Sequence, residues 1–79
     1  MIVLTVYSRP QCHLCERLLD ELEPLAAGRA RVDVVDISED LELEAELGLR
    51  IPVLRAGDEE LCCYHLDTDR VERFLAATA

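Results

Sequence analysis

Two cysteines stand three residues apart, in the order Cys12-His13-Leu14-Cys15. The thiolate is the reactive form of cysteine, and a free thiol of pKa ~8.5 is only about 3% ionised at pH 7. Lowering that pKa to ~6.5 raises the ionised share to about 75%. The flanking residues supply a means. An apolar, β-branched run from Ile2 to Tyr7 is broken by Ser8-Arg9-Pro10-Gln11. From about Cys12, apolar residues recur at helical spacing, at Leu14, Leu18, Leu19, Leu22 and Leu25. Cys12 therefore falls at the N-terminus of a predicted helix, where unpaired N–H groups and the helix dipole stabilise a thiolate. Cys15 is one turn on, on the same face and within disulfide reach. In this strand-before, helix-after setting the pair reads as a redox couple rather than half a zinc site. Cys12 is the expected nucleophile and Cys15 the thiol that resolves a mixed disulfide. Arg9 and His13 are candidates for tuning the couple. Against those roles, Arg9 reads equally well as a solvated loop residue and His13 as an exposed helix start, and a helix N-terminus disfavours a cationic imidazole.

The remaining elements have to position that pair. Pro24 removes a backbone donor and predicts a kink or break in the first helix, and Gly28 suits its stop. Arg31 to Ile37 reads as a second strand. Ser38 is the expected cap of a helix over 39–47, with Gly48 as its terminator. Leu41 to Leu47 alternates with period two, as a strand would, but Leu, Glu and Ala are strong helix formers and the cap tips the balance. Ile51 to Arg55 reads as a third strand that starts beside Pro52. Gly57-Asp58 turns the chain into a fourth strand, Glu60 to Tyr64. Asp67 caps a last helix, with Leu66 and Val71 as a hydrophobic staple and Val71, Phe74 and Leu75 as its buried stripe. The order is βαβαββα. The fold expected is an α/β domain over residues 1–79, with a four-stranded mixed sheet flanked by helices.

Composition narrows the partners. The chain has 79 residues, 51% of them hydrophobic, enough for one core and no second domain. Its 17 acidic and 8 basic residues give a formal charge of −9. That balance argues against nucleic acid or an anionic membrane, both of which reward cationic faces. The N-terminus has no basic region and no cleavage site of a signal peptide, and no apolar run approaches a membrane span. The expectation is a cytoplasmic protein, where four cysteines are not a structural disulfide framework.

With these motifs in view, the chain resembles the thioredoxin-fold superfamily, and within it the compact glutaredoxin-like proteins, short and mostly bacterial. The resemblance spans nearly the whole chain. It rests on the element order, the C-x-x-C after the first strand, and Pro52 opening the third strand after Arg50-Ile51. It implies a cis Ile51–Pro52 bond facing the cysteine pair, and a backbone at Ile51 that pairs with an extended substrate as an added strand. It implies thiol-disulfide oxidoreductase activity on a disulfide-containing protein or a small thiol, with re-reduction by a thioredoxin-type or glutathione system. Glutathione-using relatives commonly carry Cys-Pro-Tyr-Cys, a nearby Lys, Thr-Val-Pro and a Gly-Gly turn before an Asp. Here the centre is Cys-His-Leu-Cys, Lys is absent, Arg-Ile-Pro replaces Thr-Val-Pro, and Tyr64-His65-Leu66-Asp67 occupies the Gly-Gly region. Asp67 matches the residue that holds glutathione's terminal groups, and Tyr64 is a candidate lining of the substrate groove. Glutathione is then a reductant the family allows, with weak binding expected and no bound cofactor.

A second pair, Cys62-Cys63, belongs to the fourth strand, which ends on the same sheet edge as the C-x-x-C. Adjacent strand residues point to opposite faces. Cys63 shares a face with Leu61, so Cys63 is expected buried and Cys62 more exposed. Small apolar strand residues are the plain reading of both. The sharper readings are an auxiliary thiol, or a metal site drawing on Cys12, Cys15 and one of Cys63 or His65. Metal or iron–sulfur binding and a non-catalytic binding module remain the alternatives to redox chemistry.

Overall fold

The computed structural model describes residues 2–78. Its elements are β1 (Ile2–Ser8), α1 (His13–Ala26), β2 (Ala30–Asp36), a 3-10 turn (Ile37–Glu39), α2 (Leu41–Leu47), β3 (Val53–Ala56), β4 (Glu59–Cys63) and α3 (Thr68–Thr78). The sheet order is β2-β1-β3-β4. β1 and β2 are parallel, β3 runs antiparallel to both of its neighbours, and so β4 runs parallel to β1. The ends of β1 and β4 therefore reach the same edge, with Tyr7, Val53 and Cys63 in one line across the sheet.

Alternation along β1 divides the core into two layers. Leu4 and Val6 face α1 and α3, where they are buried with Leu18, Leu22, Leu54, Val71 and Leu75. Full burial of such side chains contributes about 1.5–3 kcal/mol each. On the other face, Ile37, Leu47 and Val53 form a smaller cluster against which Tyr7, Leu43, Ile51 and Cys63 pack. α2 is only seven residues long, so it covers that second face in part.

Local signals explain most of these elements, and the structure corrects several. α1 does not stop at Pro24 but continues to Ala26. Its end is satisfied instead by Arg29, whose Nε and Nη2 donate to the Leu25 carbonyl at 3.1 and 3.0 Å. The buried stripe of α1 is Cys15, Leu18, Leu22 and Ala26, while Leu14 falls off it and is 38% exposed. Ser38 does not cap α2. Asp36 caps the 3-10 turn that contains Ser38, and Asp40 caps α2, accepting from the N–H groups of Glu42 and Leu43. Helical phase in α2 buries Leu47, half-buries Leu43 and leaves Leu41 87% exposed. The period-two pattern was thus not a strand. At the C-terminal helix, Asp67 Oδ1 accepts from the Arg70 N–H at 3.1 Å, and Leu66 and Val71 both join the main core. No described helix is long and apolar enough to cross a membrane.

Candidate active site

The cysteine pair sits where β1 ends and α1 begins. Ser8, the last residue of β1, is buried, and Gln11 takes a left-handed φ of 62° that turns the chain into the helix. Cys12 is the N-cap of α1, with extended φ and ψ of −105° and 105°. Its Sγ accepts the N–H of Cys15 at 3.2 Å, and its carbonyl accepts that of Glu16 at 3.1 Å. The sulfur thereby occupies the place of a capping oxygen, directed at the unpaired N–H groups of the first turn. The Cα atoms of Cys12 and Cys15 are 5.2 Å apart and their sulfurs stand at bonding distance, as a disulfide. The two cysteines are not equivalent. Cys12 is half-exposed, whereas Cys15 is 3% exposed, on the buried stripe of α1.

Three segments are tied together around this pair. The Arg9 guanidinium donates to the Gly48 carbonyl at 2.8 Å and pairs with Glu44 at 3.0 Å. Gly48 permits that approach, since a Cβ there would lie 3.3 Å from Arg9 Nη2 and 2.5 Å from the Glu44 carbonyl oxygen. The hydroxyl of Tyr64 donates to the Leu49 carbonyl at 2.7 Å, and the Tyr64 N–H donates to the Pro52 carbonyl at 2.9 Å. The loop before Cys12, the loop before Ile51-Pro52 and the end of β4 thus share one edge. The Ile51–Pro52 bond is cis, Pro52 is buried and Ile51 is half-buried.

The residues singled out in the sequence take the following positions. The imidazole of His13 is almost fully exposed, with Nδ1 3.8 Å from Glu16. Arg9 directs its charge at Glu44 and Gly48 rather than standing free. Arg50, next to Ile51, is bound by both oxygens of Glu60 at 2.7–2.8 Å, and this pairing holds its guanidinium above its usual pKa. Asp67 serves as the cap of α3. Leu49, 92% exposed on the rim, was not found by sequence reasoning, because no motif marks a leucine between Gly48 and Arg50 as a surface residue.

The expectation for the second pair is overturned. Arg55 pairs with Glu60 while Leu54 pairs with Cys62, so Leu61 is an extra residue in β4. This bulge breaks the alternation. Leu61 and Cys62 both join the α1/α3 core, and Cys63 packs in the smaller cluster on the other face. Both thiols are free and half-buried, rather than one buried and one exposed. Burial pushes the Cys62 thiol pKa up, and the Asp67 backbone N–H offsets only part of that. Among the described residues, no three His, Cys, Asp or Glu side chains converge as a metal-binding set.

A mixed sheet of this order, flanked by helices and carrying a C-x-x-C pair at the β1–α1 junction, defines a thioredoxin-fold protein with Cys12 and Cys15 at disulfide distance. Residues 3–76 match the family described as Glutaredoxin-like domain (DUF836), and the chain belongs to it. A solution structure of a protein from Nitrosomonas europaea is similar, with 36% identity, a TM-score of 0.83, and 92% of this chain and 89% of that one covered. A crystal structure of a protein from X. campestris shares 39% identity over 94% of this chain and 96% of that one, with a TM-score of 0.76. A mutant thioredoxin from Halobacterium salinarum is 27% identical, with a TM-score of 0.62, over 96% of this chain and 73% of that one. No curated protein shows significant similarity to the sequence.

Proposed function

We propose that the protein is a thiol–disulfide oxidoreductase in which Cys12 is the nucleophile and Cys15 the resolving thiol. The observation that carries this is the asymmetry of the pair. One sulfur is half-exposed at a helix N-terminus, and its partner lies behind it, 3% exposed, one turn along. In the reduced protein the Cys12 thiolate attacks one sulfur of a substrate disulfide. A mixed disulfide forms, and the other substrate sulfur leaves as a thiolate. Cys15, deprotonated, then attacks the Cys12 sulfur and expels the second substrate thiolate. The protein pair loses two electrons and two protons, and the substrate gains them. The 14-residue α1 supplies the N–H groups and dipole that hold Cys12 ionised between turnovers.

In this reading the Ile51 backbone pairs with an extended substrate and Pro52 shapes the floor beside it. Tyr64 lines the groove, Asp67 orients the substrate's polar groups, and Arg9 and His13 tune the field at Cys12. A thioredoxin-type or glutathione system restores the dithiol, in a reducing compartment such as the cytoplasm. The likeness to a thioredoxin supports the chemistry and the shared sheet edge supports the groove. Trapping tests the roles. Cys15→Ser accumulates mixed disulfides on Cys12, visible by mass spectrometry, and Cys12→Ser accumulates none. Equal trapping by the two variants would refute the assignment.

A further inference from the structure

We infer that this site takes a cystine in a polypeptide flanked by basic residues, in preference to glutathione disulfide or other anionic disulfides. This deepens the redox reading and rests on it.

The positive charge of the chain is largely committed to internal ion pairs. Seven of the eight arginines are paired with carboxylates, among them both that border the site. Arg9, on the loop into Cys12, is neutralised by Glu44, and Arg50, next to Ile51, by the two oxygens of Glu60. Only seven of the 17 carboxylates pair with an arginine among the described residues, and Glu16 stands 3.8 Å from His13 Nδ1. Asp40 and Glu42 at the start of α2, and Asp67 beyond Tyr64, have none. A −9 protein whose cations are committed attracts a cationic partner and repels an anionic one. Each half of glutathione disulfide carries two carboxylates and one ammonium, so the whole is an anion at pH 7.

The rim adds an apolar component that a small anion would not use. Leu49 is 92% exposed, and Tyr64, whose hydroxyl holds the Leu49 carbonyl, is 43% exposed. Leu14, between the cysteines, is 38% exposed. These side chains stand on segments joined through the Arg9–Gly48 and Tyr64–Leu49 hydrogen bonds. A chain lying along the edge can cover them while its basic side chains meet Asp67, three residues beyond Tyr64, and the net negative field of the protein. The reaction is the one above: two electrons pass from the Cys12/Cys15 dithiol to the peptide cystine, which leaves as two thiols.

The test compares three oxidants of the reduced protein. They are a peptide cystine flanked by Arg, the same cystine flanked by Glu, and glutathione disulfide. At low ionic strength the Arg-flanked peptide is expected to react about tenfold or more faster than either other probe. Its lead should shrink to a few-fold in ~0.5 M NaCl, where screening is short-ranged. Glu44→Gln, which releases the charge of Arg9, should slow the Arg-flanked peptide and speed glutathione disulfide, about twofold each. The inference is overturned if the Glu-flanked peptide or glutathione disulfide matches the Arg-flanked peptide at low salt, or if the preference ignores salt. If none of the three is reduced and Cys15→Ser traps none of them, the oxidoreductase reading itself has failed, and this inference with it.

Discussion

The two cysteine pairs of this chain have the same side chains and opposite surroundings. Cys12 and Cys15 are separated by one helical turn, which brings their Cα atoms to 5.2 Å and their sulfurs together. Cys62 and Cys63 are adjacent in a strand, and their thiols enter different hydrophobic clusters. Both Cys12 and Cys62 receive a backbone N–H, from Cys15 and Asp67 respectively, but at Cys62 burial among apolar side chains outweighs that bond and raises the pKa. Spacing decides which sulfurs can meet. A thiol's ease of ionisation then depends on the N–H donors it meets set against its burial, and at Cys62 burial prevails.

The largest effect expected from breaking this contrast is at the nucleophile. Cys12→Ser should lower disulfide reduction by at least ~10³-fold, since no other group replaces the thiolate. Cys62→Ser and Cys63→Ser should each stay within a few-fold in the same turnover assay. A loss at Cys63 as large as at Cys12 would place the second pair in the reaction.

Stability offers a second, smaller probe. Asp67→Ala removes the cap of α3 next to Cys62 and should cost ~1 kcal/mol in denaturant unfolding. An unchanged midpoint would mean that the cap contributes nothing.

Alkaline pH gives a third. The folded Cys62 thiol has its pKa raised above that of a free thiol, chiefly by burial. Its native environment therefore favours the protonated form, and that stabilisation is complete below the ordinary value. It is lost as pH rises from there through the folded pKa, because the unfolded chain ionises first. Unfolding measured across this range should show stability falling with pH, and Cys62→Ala should flatten the slope. Thiol alkylation should likewise turn on at a higher pH for Cys62 than for an unstructured cysteine.

The smallest effect concerns the bracing of Arg9. Arg9→Ala removes an exposed ion pair with Glu44 and a bond to Gly48, and should change stability by less than about 1 kcal/mol. Gly48→Ala presses a Cβ against the Glu44 carbonyl and Arg9, and should destabilise more than that in the same denaturant series.

Much of this was readable one residue at a time. The period of Leu18 and Leu22, the run from Ile2 to Tyr7, the Gly57-Asp58 turn and the Asp67 cap each state a local preference that survives in the fold. Where reading failed, two local preferences were nearly balanced or a third element intervened. Ser38 and Asp40 both make good caps, and the sheet-side packing of Ile37 settles the choice by drawing Ser38 into a 3-10 turn. Pro24 opposes a helix by one hydrogen bond, and the burial of Ala26 in the core outweighs it.

The sequence alone determined the chemistry available: two thiols at i and i+3 beside a helix start, a −9 chain without lysine, and the order of strands and helices. These follow from chain-local geometry and from charge, neither of which needs a partner segment. Tertiary structure alone decided which sulfur faces solvent, how Leu61 shifts Cys62 into the main core, and that Arg9, Leu49 and Tyr64 share one edge. Those facts depend on segments up to 39 residues apart meeting across a sheet, and only the packed core brings them together.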